Sequence, residues 1–453
     1  MDRLANVDRS VSRPLSVAVI GGGWAGCAAA ATLAAAGAQV SLFEAAAELG
    51  GRGRRVELDL GGTLHTVDNG QHLMVGAYTA IADLLSMLGV DLDGAIERRP
   101  FELAYPDGFR LRAARLPAPW HLATALVLAR GLPWTDRVAM VRFLRTLKSG
   151  GWRVDPDCDA RSWLIAQGQS DDLVVRVWRP LAIAALNTPL HEASARLFAN
   201  VLRDTLGAGS AASMLWLPRT DLSALLPEAA ERYVIARGGT VRRGSRVAAV
   251  TCDDAGFRLD LSVSAVDGVV FAAPPAHLAR VAATLAPRLA DELDAIEKFA
   301  YEPICTVYLK YDPAGYDPTV SVPRGFVALR DEPARQDFGQ WVFDRGTLDP
   351  ANRGVLAVVV SASGAHDDAP LPSLCAAVAR QLTRELGLPA PHAARAIVER
   401  RATLAARPGL RRPQNLTSIP RFVLAGDWTD SDYPSTLESA VRSGVAAAHH
   451  LLA

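Results

Sequence analysis

Val17-Ala-Val-Ile-Gly21-Gly-Gly23-Trp-Ala-Gly26 is the stretch from which the rest of this chain can be read. Its four leading apolar residues predict a buried parallel strand, and the small-residue run 27–36 behind it predicts a helix. Gly21, Gly23 and Gly26 carry the G-x-G-x-x-G spacing of a dinucleotide site. Gly21 allows the tight turn, Gly23 the close approach of backbone to pyrophosphate, and Gly26 the packing of helix on strand. Ala30, one turn on, is small enough for the same packing. Trp24 and Ala25 open the helix, whose free N–H groups and dipole favour a phosphate. Gly37 ends the helix, and Gln39-Val-Ser-Leu-Phe43 predicts a second strand. Glu44 at its tip stands 18 residues after Gly26, where an acid accepts hydrogen bonds from a ribose diol. The ordered set of strand, helix, strand and terminal acid outweighs a chance Gly-rich turn.

Glu48-Leu-Gly50-Gly51-Arg52-Gly-Arg54 follows the acid. Gly51 permits a second turn against the same pyrophosphate, and the Arg52 guanidinium can fork onto phosphate oxygens. A solvated basic turn of Arg52, Arg54 and Arg55 is the plain alternative. The stretch resembles the extended motif of FAD-binding amine oxidases and carotenoid-type desaturases, where two Gly-rich turns hold FAD. The other end carries a second motif, Phe422-Val-Leu-Ala-Gly426-Asp427-Trp428-Thr429, a strand ending in Gly-Asp, with a helix predicted over 437–452. Asp427 is expected to bond the ribityl chain or the pyrophosphate side. Ser435, Thr436 and Leu437 begin the helix, whose positive end would lie near the flavin N1/C2 carbonyl. Ser435 and Glu438 have capping-box spacing and are expected to satisfy each other's backbone donors.

A chain of 453 residues has room for two to three domains. Half its residues are hydrophobic and 21% are charged, as in a soluble globular protein. Lys+Arg and Asp+Glu balance at 48 each, so no global field invites nucleic acid. Five cysteines without a C-x-x-C spacing give neither a disulfide frame nor a zinc site, and point to a reducing compartment. Residues 1–14 are polar and lack an apolar h-region, so they read as a flexible lead-in rather than a signal peptide. No stretch reaches the roughly 18 apolar residues of a membrane span. The expected location is cytoplasmic, or peripheral on the inner face of a membrane.

Between the terminal motifs, 55–67 reads as a hairpin turning at Gly61-Gly62, followed by the polar loop Asp68-Asn-Gly-Gln-His72 and a helix over 78–88. A second hairpin is expected over 101–116. The region 117–206 is helical; its Trp- and Arg-bearing segments 120–132 and 134–147 read either as buried helices or as interfacial ones. Strands over 240–250 and 257–262 and a buried strand over 267–273 return the chain to the first sheet, with the backbone near Val247 as neighbour of the adenine. The pairs Arg400-Arg401 and Arg411-Arg412 read as surface charge. The predicted fold class is therefore α/β. A Rossmann-like FAD-binding domain (15–90, 228–275 and 415–453) is interleaved with an α+β substrate domain (91–227 and 276–414) that has a mixed sheet and a helical cap.

Asp68-Asn-Gly-Gln-His72, Ala184-Ala-Leu-Asn-Thr-Pro189, Arg203-Asp-Thr-Leu206, Pro218-Arg-Thr-Asp-Leu222 and Pro434-Ser-Thr-Leu-Glu-Ser-Ala-Val-Arg-Ser-Gly444 resemble segments of the hydroxysqualene dehydroxylases. The similarity runs from about residue 15 to the end. Gly22 and Cys27 depart from the usual Ala and aliphatic residues, and both departures concern packing. The resemblance implies FAD as cofactor and a C30 isoprenoid substrate. It also implies transfer of hydride from reduced FAD N5 to an allylic carbon with loss of water. Such a reaction needs a proton donor for the departing hydroxyl. His72, Tyr433 and Asp430, in that order, are the candidates, with core packing as the plain reading of each. Asn69, Gln71, His72 and Asn187 are expected as polar contacts to flavin or hydroxyl. Contact with a membrane surface and with upstream squalene-pathway enzymes is expected too, while the electron donor stays open. The alternatives are an oxidative desaturase of phytoene type, an amine oxidase whose aromatic cage would fall to Trp428 and Tyr433, and a non-redox lipid carrier.

Overall fold

β1 (Ser16–Ile20) is buried from Val17 onward and runs in the middle of a parallel sheet, where near-continuous apolar sequence is needed because both faces are covered. The computed structural model describes residues 13–262, 264–312, 322 and 325–453, so the expected lead-in lies outside the described residues up to position 12. α1 (Trp24–Ala35) and β2 (Gln39–Phe43) follow as predicted. β3 (Arg55–Asp59) and β4 (Leu64–Asp68) form the hairpin, with Gly61 and Gly62 at φ 71° and 86°, and α2 (Thr79–Met87) comes next. The second hairpin is β5 (Glu102–Ala104) with β6 (Arg110–Arg112).

The helical region contributes α3 (Trp120–Val127), α4 (Trp134–Ser149), α5 (Arg179–Leu186) and α6 (Ala195–Leu202). Its core is aromatic, with Phe143 edge-on to Trp163 and Trp178 at centroid distances of 5.1 and 5.2 Å. Two π-turns, Val174–Trp178 and Arg203–Gly207, interrupt the α-helical hydrogen bonding, a device found often at functional sites.

The chain then supplies β7 (Thr240–Arg242) and β8 (Gly268–Phe271) to the parallel sheet. The strand expected over 240–250 stops at Arg242, because the chain turns at Gly244 (φ 65°) and resumes a separate hairpin at Val250. Val247 therefore sits on a connection rather than in a strand. β9 (Tyr301–Lys310), β10 (Phe326–Ala328), β11 (Trp341–Asp344) and β12 (Val355–Ser361) follow, then α7 (Leu371–Leu386) and β13 (Ala393–Leu404). This second sheet, ordered β10-β11-β12-β9-β13, is antiparallel at every pairing rather than mixed. β10, β11 and β12 each turn back beside the strand before, without the long helix that links parallel neighbours.

β14 (Phe422–Leu424) and α8 (Leu437–Leu452) close the molecule. The parallel sheet is ordered β7-β2-β1-β8-β14, and Ile20, Phe43 and Phe271 lie in register at its C-terminal edge. α1 is buried on nearly all sides because its alanines let sheet and α8 approach together. At the crossing with α8, a Cβ on Gly444 would stand 2.1 Å from the Ala25 carbonyl oxygen.

Candidate active site

Open parallel sheets bind ligands beyond the C-terminal ends of their strands. Here those ends, at Gly21, Glu44, Ala272 and Gly426, border a cavity of about 1040 Å³. That exceeds the roughly 300–1,000 Å³ of an ordinary small-molecule pocket. Every position expected to face the cofactor lines it except Gly26, which lies beneath: a Cβ there would meet the Gly21 carbonyl oxygen at 1.8 Å. Gly23 is the opposite case. The nearest atom to a Cβ at Gly23 is Gly51 Cα at 3.9 Å, so its hydrogen keeps open a cradle formed where the two Gly-rich turns meet. α1 has no side-chain cap at Gly23, which leaves the first-turn N–H groups of Trp24 and Ala25 at the cavity wall for phosphate oxygens. The two carboxylate oxygens of Glu44 accept the Gly22 and Ala46 N–H groups, each at 2.7 Å, which fixes the acid at the tip of β2. Val247 lines the same end. These residues fit a dinucleotide.

Arg52 spans the next section, bonding the Ala402 carbonyl at 2.6 Å and pairing with the buried Asp427 carboxylate. Its guanidinium is thus anchored to the C-terminal motif, joining two residues far apart in sequence. Asn69 donates weakly to the Arg52 carbonyl (3.4 Å), and Gln71 receives Arg345 Nη1 at 3.1 Å. His72 Nδ1 lies 2.6 Å from the Gly70 carbonyl, an acceptor, so Nδ1 carries a proton. Burial, reinforced by the charge of Arg52 and opposed by the Gly70 bond, pushes the imidazole below its ordinary pKa. A neutral ring protonated at Nδ1 leaves Nε2 as an acceptor. His72 is therefore suited to receive a hydrogen bond in the cavity rather than to donate a proton.

The other section of the cavity is apolar. α5 and α6 contribute Leu181, Phe198 and Leu202, and the antiparallel sheet contributes Trp341, Phe343 and Val359. Two polar groups stand out on this wall, Asp204 and Tyr433. Asp204 lies on the π-turn after α6 and is gripped at both oxygens by Arg203, at 2.7 and 2.9 Å. Burial works to raise its pKa, but Arg203 and the Tyr433 phenol prevail and hold it below the usual carboxylate range. Burial and the bond to Asp204 raise the pKa of Tyr433. The loop bearing Tyr433 is pinned by Arg412, which donates to the carbonyls of Ser431 and Tyr433, the latter at 2.8 Å. Arg412 thus has a structural task, whereas Arg411 is exposed.

Further expectations change. Asp430 is exposed, takes a 2.6 Å bond from Gln414 and is absent from the cavity wall, so it is not placed to donate a proton there. Asn187 reaches the cavity, but its amide is taken up by protein. It donates to Thr403 Oγ1 at 3.0 Å and accepts the Ala362 N–H at 2.7 Å, holding the left-handed end of α5 against the antiparallel sheet. The capping box of α8 lies one residue later than expected, on Thr436 and Ser439. Glu438 instead accepts the Ala80 and Ile81 N–H groups at 2.9 and 3.0 Å, capping α2 across the interface. Asp204 carries no signal of its own in the sequence beyond its place in Arg203-Asp-Thr-Leu206. Trp428 packs edge-on to Phe271 at 6.4 Å and Tyr433 lies beneath Arg442, so the two rings are engaged separately rather than facing each other.

The family model described as flavin containing amine oxidoreductase matches residues 24–452. A hydroxysqualene dehydroxylase of Rhodopseudomonas palustris is 32% identical, across 97% of this chain and 98% of that protein. The one from Sinorhizobium fredii is 30% identical, across 96% and 98%. A zeta-carotene desaturase of Synechocystis is 24% identical across 97% of each. Among solved structures, an oxidoreductase from Methanosarcina mazei shares the fold with a TM-score of 0.72 at 16% identity, covering 96% of this chain and 100% of that one.

Proposed function

The chain belongs to the flavin-containing amine oxidoreductases and is an FAD-dependent oxidoreductase, and on that premise we propose that it removes the hydroxyl of a hydroxysqualene-type C30 isoprenoid, replacing it with hydrogen. The observation that supports this most directly is continuity. One cavity runs from the glycine cradle to an apolar lobe carrying Asp204 and Tyr433. When bound in its reduced form, FAD supplies the two electrons and the hydrogen that replace the hydroxyl. The glycine cradle and the α1 N-terminus hold the pyrophosphate, and Arg52 and Asp427 brace the turn beside it. The apolar lobe holds the hydrocarbon and keeps water from a developing allylic cation. Tyr433, protonated throughout the neutral range, shifts its O–H from Asp204 to the departing oxygen, which leaves as water. Asp204, kept ionised by Arg203, orients the phenol and places negative charge on the wall of the lobe. His72 Nε2 accepts the hydroxyl hydrogen of the bound alcohol and so sets its orientation.

An anaerobic single turnover tests the reading. Hydroxysqualene added to chemically reduced holoenzyme should give squalene by mass spectrometry as the flavin reoxidises. Reduced flavin that stays inert, with oxidised enzyme bleached by a carotene precursor, would assign the lobe to oxidative desaturation instead. An FAD desaturase of that kind has to take up a proton from its substrate rather than deliver one, so of the two groups it is the protonated Tyr433 phenol that favours dehydroxylation.

A further inference from the structure

The α3–α4 hairpin turns apolar side chains outward. Seven of the seventeen exposed large hydrophobic residues among the described residues fall between 116 and 141. They include Trp120 at 65% exposure, Leu128 at 72% and Trp134 at 66%. The helical repeat explains the arrangement. Trp134, Val138 and Val141 follow i, i+4, i+7 along one stripe of α4, while Asp136, Met140, Phe143 and Leu147 form the opposite stripe facing the core. Trp120 and Val127, again seven apart, are the exposed side of α3, whose buried side is His121 and Ala125.

The hairpin is built as a rigid unit. Arg137 donates to the carbonyls of Leu132, Val127 and Ala129 at 2.9, 2.8 and 2.8 Å, closing the C-terminal end of α3 onto the start of α4. Its guanidinium also lies 4.4 Å from the centre of the Trp134 ring. The outer stripe of α4 continues from apolar residues into Arg142, Arg145 and Lys148, all exposed. From 115 to 153 the sequence holds seven Lys and Arg against one acid, in a chain whose formal charge is zero. That acid, Asp136, is buried and accepts a bond from Ser170 at 3.1 Å. The outward face is therefore cationic as well as apolar.

We propose that this hairpin is a docking surface for an anionic lipid bilayer, with Trp120, Leu128 and Trp134 inserted at headgroup depth and the cations on phosphates. Aromatic rings and an Arg/Lys rim on a helix lying in the interface are the features that hold a peripheral protein there. A second copy of the chain would meet the same excess of positive charge across the contact, whereas an anionic surface complements it. No helix of the described residues is long and apolar enough to cross a membrane. The inference stands on the surface alone and is independent of the cavity's substrate.

The test is flotation of FAD-loaded full-length protein with vesicles of phosphatidylcholine, with or without phosphatidylglycerol, and no substrate. The protein should float with the anionic vesicles, less with neutral ones, and less as salt rises. W120E/W134E should partition about tenfold or more weakly while keeping its thermal midpoint and flavin content, since both side chains are exposed. R142E/R145E/K148E should lose the preference for phosphatidylglycerol. Wild type that does not float, or that floats equally with W120E/W134E, overturns the proposal. So does a dimer in vesicle-free solution that the double variant abolishes, because the face would then be a contact between copies.

Discussion

Around α1 the packing surface is backbone, whereas around the apolar lobe it is large side chains meeting one another. Gly26 and Gly444 let carbonyl oxygens occupy the space where a Cβ would stand, at 1.8 and 2.1 Å. The helical half instead interlocks Phe143, Trp163, Trp178 and Phe198 edge to face. A backbone contact has no rotamer to yield, so the first region tolerates only glycine at its crossings, while the second can repack around a change of shape. That contrast fits their tasks. The dinucleotide demands one fixed backbone geometry, and a flexible hydrocarbon demands volume and dryness.

The sharpest break of the comparison uses two glycines of one motif. Gly26→Val forces a side chain into backbone and should cost about 3 kcal/mol or more, seen as a collapse of soluble yield, thermal midpoint and flavin content together. Gly23→Ala meets only Gly51 Cα at 3.9 Å. The apoprotein should melt within about 0.5 kcal/mol of wild type but bind FAD far more weakly, because the new methyl fills the cradle. Equal loss of stability in both variants would mean that Gly23 serves packing too.

This difference also explains what was legible in the sequence. The glycine turn, Glu44 and the Gly-Asp strand end are local patterns with fixed spacing, and the structure brings them to one cavity. Tertiary partners decided the rest. Ser435 and Glu438 have good capping-box spacing, yet the free N–H groups at the start of α2 take the Glu438 carboxylate and the box moves to Thr436 and Ser439. Asp204 depends on a π-turn that no periodicity announces. The segment 240–250 reads as one strand, but it is broken at Gly244.

In the side-chain-built region the decisive change is chemical rather than steric. Tyr433→Phe removes the phenol proton and Asp204→Asn the charge that orients it. Each should lower the single-turnover rate about 10²–10⁴-fold with FAD content and thermal midpoint nearly unchanged. Asp204→Asn should also lower the pKa of Tyr433, because the carboxylate is among the causes that raise it. Full activity of Tyr433→Phe would remove this residue from the reaction.

The smallest expected effect lies at the seam of the two halves. Asp68 ends β4, accepts the Leu222 N–H at 2.8 Å and lies 3.9 Å from Arg345, while its carbonyl receives the Tyr308 hydroxyl at 2.7 Å. Burial pushes its pKa up to about 6, against the pull of Arg345 and the Leu222 bond. A carboxyl whose folded pKa exceeds its unfolded value near 3.9 binds more protons when folded, so its contribution to stability falls as pH rises from about 4 to about 6. Over that window wild type should lose about 2–3 kcal/mol relative to Asp68→Asn, read as a widening gap in thermal midpoint. Arg345 keeps its bond to Gln71 in the variant, which limits the cost of losing the charge. A gap of the opposite sign, with wild type gaining on the variant as pH rises, would show that attraction to Arg345 outweighs burial and that the seam is held by charge.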